Sequence, residues 1–360
     1  MLPSPGNGRN NHVPLRIVVC HAQVPFEHGG TEILAESLVE QLRQRGHLVD
    51  LVHAPQSWAT HEQILANYLI WRLTNLDTTQ DGQPIDRVIA LKVPSYAVRH
   101  KHKVTWLIQQ FRQCYDLYGT PYSGLTDSPE DQELRATIRR MDTRTINESK
   151  HVFAISQNVA NRLHNFNGLT AEVLYPPPSM EGRYYNDSYG DYVLSVSRLD
   201  PLKRVDLLVR AMSRTRSDVR CLIVGRGPEQ RRLQELVRKH GLADRIEFLG
   251  FVANADLIEL YANALALFYA PIDEDYGLVT IEAMKSDKPV ITAKDSGGVL
   301  EFVEQDTTGA IFDPDDIDGL ASAIDRLAGD HGLARRLGEQ GRERVAGITW
   351  DATINRLLEV

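Results

Sequence analysis

Apolar and polar positions along this chain follow a long, repeating wave. A short unbroken apolar run gives way to a loop rich in Gly, Pro or Asp, and then to a longer stretch with apolar residues at helical spacing. In the first half the runs are LRIVVC (15–20), HLVDLVHA (47–54), DRVIALK (86–92), KVTWLI (103–108) and HVFAIS (151–156), with AEVLYPPP (171–178) as a last strand and a rigid proline exit. In the second half they are DYVLSVS (191–197), VRCLIVG (219–225), RIEFLGFV (245–252), ALALFYAP (264–271), PVITA (289–293) and GAIFD (309–313). Helices are predicted over 31–45, 129–149, 204–213, 228–240, 255–263, from 278, near 316–328, over 331–345 and from Trp350 to the end, with a further helix opening at Val299. Strands that alternate with helices in this way form a parallel sheet with helices on its faces.

The pattern restarts after an irregular, tyrosine-rich stretch at about 177–190, and 360 residues are too many for one ordinary core. The expected organisation is a flexible tail at 1–13, a Rossmann-like domain at 14–180, a second at 190–346, and a closing helix at 347–360. Ligands of such sheets sit beyond the carboxyl ends of the strands, so chemistry belongs in the loops that follow them.

The loops of the second half carry the clearest chemistry. Glu274 lies in the acidic loop IDEDYG, and Glu282 lies eight residues on, in the helix LVTIEAM. Between them Tyr276, Gly277, Leu278 and Val279 bring main-chain amides to a helix N-terminus, an anion seat. Two carboxylates around such a seat suit a ligand with a phosphate and several hydroxyls, such as a nucleotide sugar. Arg198 and Lys203 stand five apart at a strand end and helix start, where two fixed cations suit a diphosphate. In the first half, Gly29-Gly30 after the first strand is either a tight turn or a phosphate-approach position. Each carboxylate also has a plain reading, as part of a solvated loop or helix face.

Taken together, the words PIDEDYGLVTIEAM, SGGVLEFV and VSRLDPLKRVDLLVRA resemble the retaining family-4 glycosyltransferases, with their E-x7-E (Glu274, Glu282) and R-x4-K (Arg198, Lys203) pairs. The resemblance implies a GT-B fold, two Rossmann-like doubly wound parallel-sheet domains facing a central cleft. It also implies transfer of a hexose-type sugar from a nucleotide diphosphate, UDP or GDP, to a hydroxyl of a glycan or lipid-linked glycan. Arg198, Lys203, Gly29 and Gly30 would hold the diphosphate, and Glu282 the ribose. Glu274 and the backbone of 277–279 would position the sugar, and the main chain near Val252 would hold the base. The favoured mechanism is front-face attack with retention, the leaving phosphate accepting the acceptor's proton. The closing helix would cross back to the first domain.

Two departures from the family pattern stand out. The usual Gly after the Lys is Arg204, and Gln109 stands where a sugar-facing histidine is common. His21 or His28 in the first loop could take that role, or be incidental. Asp273-Glu274-Asp275 superficially copies a D-x-D metal motif, and is read as metal-free because Arg198 and Lys203 already supply positive charge. No cofactor is expected beyond the donor substrate. The rival readings are a non-catalytic nucleotide-sugar-binding protein, an epimerase or hydrolase on the same scaffold, and an NAD-linked oxidoreductase. The last lacks its G-x-G-x-x-G fingerprint.

Composition narrows the setting. A net charge of −8 argues against a nucleic-acid partner. Cys20, Cys114 and Cys221 are far apart and read as reduced core residues of a cytoplasmic protein. The N-terminus reads as no signal peptide, and no apolar run is long enough to span a bilayer. The one dense basic run, Arg99-His100-Lys101-His102-Lys103, is either a solvated loop or a peripheral contact for an anionic membrane or lipid-diphosphate acceptor.

Overall fold

The computed structural model describes residues 13–26 and 29–360, so most of the expected tail, and His28, lie outside the described residues. Two compact units are distinguished. One holds the residues up to Trp106 with Leu117–Val152 and Val360, and the other Leu107–Asp116 with Phe153–Glu359.

The first part of the chain runs β1 (Arg16–Gln23), α1 (Gly30–Gln44), β2 (Leu48–Pro55), α2 (His61–Leu73), β3 (Arg87–Ala90), β4 (Lys103–Leu107), α3 (Pro129–Asn147), β5 (His151–Ala154), α4 (Gln157–Asn167) and β6 (Glu172–Val173). These strands form a six-stranded sheet in the order β2-β1-β3-β4-β5-β6. The pairs β1–β2, β1–β3 and β3–β4 are parallel and in continuous register. The side chains of β1, β3 and β4 are buried on both faces, as the unbroken apolar runs require, whereas the edge strand β2 buries only Val49 and Ala54. β6 has only two residues, because the prolines at 176–178 offer no N–H to extend the ladder.

The remainder runs β7 (Tyr192–Val196), α5 (Val205–Met212), β8 (Arg220–Val224), α6 (Gln230–Lys239), β9 (Ile246–Gly250), α7 (Asn254–Ala262), β10 (Ala266–Phe268), α8 (Leu278–Lys285), β11 (Val290–Ala293), β12 (Gly309–Phe312), α9 (Ile317–Gly329), α10 (His331–Val345) and α11 (Trp350–Glu359). The second sheet has the order β12-β11-β10-β7-β8-β9, again with parallel pairs. Its core joins Val193, Leu208, Ile223, Phe268, Ile291 and Leu320. The order places β7 beside β10, and β10 beside β11, so the loops that follow these three strands are neighbours. The closing helix α11 packs within the second unit: Trp350 Nε1 donates to Pro178 O at 3.2 Å, and Arg356 pairs with Glu172 at 2.6 Å.

Two sequence readings change. The helix expected from Val299 is only a 3-10 turn, Gly298–Glu301. The helix expected over 204–213 starts at Val205, after a separate 3-10 turn at Pro201–Lys203.

Candidate active site

β10 ends at Phe268, and the loop from Pro271 returns the chain to α8 through Gly277, whose φ is +84°. A side chain there would be strained, and its Cβ would stand 2.9 Å from the Tyr269 ring. Gly277 therefore lets the chain turn tightly and leaves the first amides of α8, at Leu278 and Val279, at a helix N-terminus. The neighbouring loop, 294–298, is zipped onto the acidic one. Asp273 N donates to Asp295 O at 2.9 Å and Gly298 N to Glu274 O at 2.8 Å. A Cβ on Gly297 would meet Glu274 O at 2.6 Å. The Gly-Gly pair serves this backbone contact, which is why it opens only a short turn.

From β7 comes Lys203. Its Nζ donates to Glu274 Oε2, and to the Tyr269 hydroxyl at 3.1 Å. Burial would lower the pKa of this lysine, but the Glu274 carboxylate outweighs it and holds the ammonium above the ordinary lysine value. Arg198 lies exposed at the end of the same strand. Arg204 sits in left-handed backbone (φ +49°), a conformation in which glycine costs nothing. Its guanidinium donates to Ala270 O and Pro271 O, both at 2.8 Å, and pairs with both oxygens of Asp295. Four hydrogen bonds offset the strained backbone and tie together the loops after β7, β10 and β11.

Under the acidic loop lies an ion-pair network. Arg162, on α4, is buried and contacts three carboxylates: Asp275, Asp116 at 3.0 Å and Asp273 at 3.2 Å. Arg112 adds Asp116 at 2.6 Å and the carbonyl of Asp273 at 2.8 Å. Asn158 Nδ2 donates to Asp273 Oδ1 at 2.7 Å and to Glu274 O at 2.9 Å, and Ser156 Oγ donates to Asp275 O. Burial alone would raise the pKa of Asp275, yet Arg162 and Arg112 hold it below the usual carboxylate range. Asp273 and Asp275 are thus both paired with arginines. Glu274, between them, turns the other way, to Lys203.

Glu282 projects from α8, and its Oε2 accepts from the Tyr261 hydroxyl at 2.8 Å. Burial pushes its carboxyl up, with the Tyr261 hydrogen bond opposing. Tyr276 is buried, stacks on Tyr175, and donates its hydroxyl to Pro176 O at 3.0 Å, so only its main chain faces the loop. Val252 is half-buried, in the turn between β9 and α7.

The sequence model described as "Glycosyl transferases group 1" matches residues 186–344, the span that carries all of these second-sheet loops. N-acetyl-alpha-D-glucosaminyl L-malate synthase of Bacillus anthracis is 26% identical over 360 residues, 91% of each chain. The GDP-mannose-dependent alpha-(1-6)-phosphatidylinositol monomannoside mannosyltransferase of Mycobacterium tuberculosis is 35% identical over 178 residues, 46% of each. Among solved structures, sucrose-phosphate synthase of Thermosynechococcus elongatus superposes with a TM-score of 0.74 at 20% identity, covering 96% of this chain and 98% of that one. Anabaena HepE in complex with UDP-glucose gives 0.71 at 19%, covering 95% and 98%. Over residues 186–344 the chain belongs to the glycosyl transferases group 1 family. It is a retaining, nucleotide-sugar-dependent glycosyltransferase of GT-B fold.

In this transferase the first-sheet candidates stand as follows. Gly29 precedes α1, but its N–H is already taken by the Glu32 side chain at 2.9 Å, which leaves Gly30 and Thr31 at the helix start. Glu32 is buried with Lys92, whose Nζ donates to it at 2.9 Å and to Thr31 Oγ1 at 3.1 Å. Burial would raise the Glu32 carboxyl, but Lys92 holds it down at about 2. His21 is wholly buried behind this pair, 3.6 Å from Glu32, and burial and the Lys92 charge press it to about 3, so it is neutral. Gln109 is half-buried in the segment after β4. Arg112, Arg162, Tyr261, Glu32 and Lys92 escaped the sequence reading. Only Arg162 carried a signal, as the arginine of the stretch ISQNVANRL (155–163) that continues the run HVFAIS.

Proposed function

We propose that this transferase moves a hexose from UDP or GDP to a hydroxyl of a glycan or lipid-linked glycan in envelope polysaccharide or glycoconjugate synthesis, working in the cytoplasm at the inner face of a membrane. The observation that carries the reading is Lys203 held against Glu274 and Tyr269 beside the first amides of α8. Lys203 and Arg198 bind the diphosphate and stabilise the leaving nucleotide, with Gly30 adding a main-chain donor. Glu274 and the amides of 277–279 hold the sugar hydroxyls, Glu282 binds the ribose, and the main chain at Val252 meets the base. Catalysis is then positioning plus stabilisation of the charge that develops on the departing phosphate. That phosphate takes the acceptor's proton, the new bond forming on the face from which the nucleotide leaves. No metal ion has a part in this reading: the carboxylates of 273 and 275 are spent on arginines. Binding of UDP-glucose by HepE, and dependence of the mycobacterial relative on GDP-mannose, support the choice of base.

Calorimetric titration of UDP, GDP and ADP into the wild type and Arg198→Ala/Lys203→Ala tests it. One nucleotide should bind the wild type tightly and the double variant at least 100-fold more weakly, since two charge-assisted contacts are removed, each worth roughly 2 kcal/mol. Equal binding by both proteins refutes the assignment.

A further inference from the structure

α2 is apolar on two sides. Ile64, Tyr68 and Trp71 are buried against the sheet, as an amphipathic helix requires. Ala66, Leu69, Ile70 and Leu73 recur at i, i+3, i+4 and i+7 on the other side and face solvent, the last three being 56%, 42% and 74% exposed. An isolated exposed leucine needs no explanation, but a stripe at helical spacing does.

The stripe ends at a cationic cavity. Two residues beyond Leu73, Asn75 forms a backbone bridge to Arg99. The cavity beside it, of about 380 Å³, is lined by Arg72, Asp77, Arg99, Lys101, Lys103 and Glu148. Glu148 is already engaged by both terminal nitrogens of Arg72. Lys103 is buried, and its Nζ is fixed by three carbonyls, of Tyr96, Val98 and Thr145. His100 is buried too, on Ile85 O. Of the five-residue basic run only Arg99, Lys101 and His102 therefore reach solvent, and neither Arg99 nor Lys101 has a carboxylate partner among the described residues. The cavity lies at the start of β4, whereas Gly30 follows the far end of β1, so the two features occupy opposite ends of the sheet.

We propose that the exposed stripe of α2 and the Arg99/Lys101 cavity form one docking surface for an anionic lipid bilayer, the apolar stripe entering the acyl boundary while the cavity takes a lipid phosphate. Charge complementarity selects this occupant: on a chain of net charge −8, unpaired cations adjoin the exposed apolar stripe. The surface gives a physical basis to the inner-membrane placement proposed above, and it stands whether or not the sugar-transfer assignments hold.

The test is co-sedimentation of the full chain with vesicles of phosphatidylcholine alone, and of phosphatidylcholine with about one-third phosphatidylglycerol. The wild type should bind the anionic vesicles, lose them at high salt and ignore the neutral ones. Each cation near the surface contributes about a fivefold factor, so Arg99→Gln/Lys101→Gln should cut partitioning by roughly 30-fold. Leu69→Ser/Ile70→Ser/Leu73→Ser should cut it at least as far. Both variants should keep wild-type nucleotide affinity, which separates failure here from failure of the donor site. Absence of wild-type binding to anionic vesicles overturns the proposal, as does binding insensitive to the changes at Leu69, Ile70 and Leu73. Two other outcomes do the same: saturable binding of inorganic phosphate without vesicle binding, and a halving of the particle mass in sedimentation when the stripe is changed.

Discussion

Replacing Arg162 by methionine isolates what holds the acidic loop in place. The side chain is buried and faces Asp116, Asp273 and Asp275, of which Asp275 is itself buried. Methionine keeps much of the volume but leaves Asp275 with Arg112, 3.9 Å away, as its remaining ion-pair partner among the described residues. Breaking a buried pair from one side costs about 3–5 kcal/mol, because the remaining charge is neither hydrated nor neutralised. For a unit of this size that corresponds to a fall in Tm of about 6–20 °C. The assay is calorimetric unfolding of the wild type, Arg162→Met, Asp275→Asn and the double variant. The double variant should recover part of the loss, since the stranded carboxylate is gone, with a coupling energy of about 2 kcal/mol. Donor turnover should fall in Arg162→Met as well, because Asp273 and Asp275 fix the backbone on either side of Glu274. If the two single effects simply add to within about 0.5 kcal/mol, the network does not hold the loop and the reasoning fails.

Three further outcomes follow from the same contacts. Lys203→Met should lower kcat/KM for the donor by roughly 100-fold or more, read in a transfer assay at subsaturating donor, as expected where a fixed charge stabilises a leaving group. Gly277→Ala should destabilise the second unit by about 1–3 kcal/mol and weaken nucleotide binding, since its backbone is left-handed and the new methyl meets Tyr269; thermal unfolding and titration report both. Stability should fall on acidification below pH 6.5. His21 keeps a folded value of about 3, so the unfolded chain binds a proton that the native state refuses, and about 1.4 kcal/mol is lost per pH unit. Glu32, held at about 2, adds a loss below about pH 4.5. Urea midpoints between pH 7 and 4.5 should flatten in His21→Gln.

Much of the loop arrangement after β7, β10 and β11 was legible because its parts are local. Lys203 and Glu274 follow β7 and β10, each loop announces itself by Pro, Asp or Gly after an apolar run, and β7 and β10 are neighbours in the sheet. The arginines that support the loop were not legible. Arg162 and Asp275 are 113 positions apart, and nothing in either neighbourhood names the other. The glycines at 297 and 298 read as a helix start, because a sequence does not show that a second backbone lies within 3 Å of them. Arg204 looked like a departure beside the charge pair, and its left-handed φ explains both why glycine suits the position and how arginine holds it. The basic run misled in part. His100 and Lys103 count as charge in a composition, yet both are buried and spent on main-chain carbonyls.

The fourfold grip of Arg204 also bears on motion. One guanidinium joins the main chain at 270–271 to the carboxylate of Asp295, while its own backbone adjoins Lys203. None of the three loops can then swing outward alone without giving up several of these bonds together. Their amide protons should exchange with solvent as a single cooperative group, and slow together when a nucleotide diphosphate is added. A substitution that retunes one loop for a different sugar would therefore be transmitted to the other two, which makes donor preference a property of the clasp as a whole.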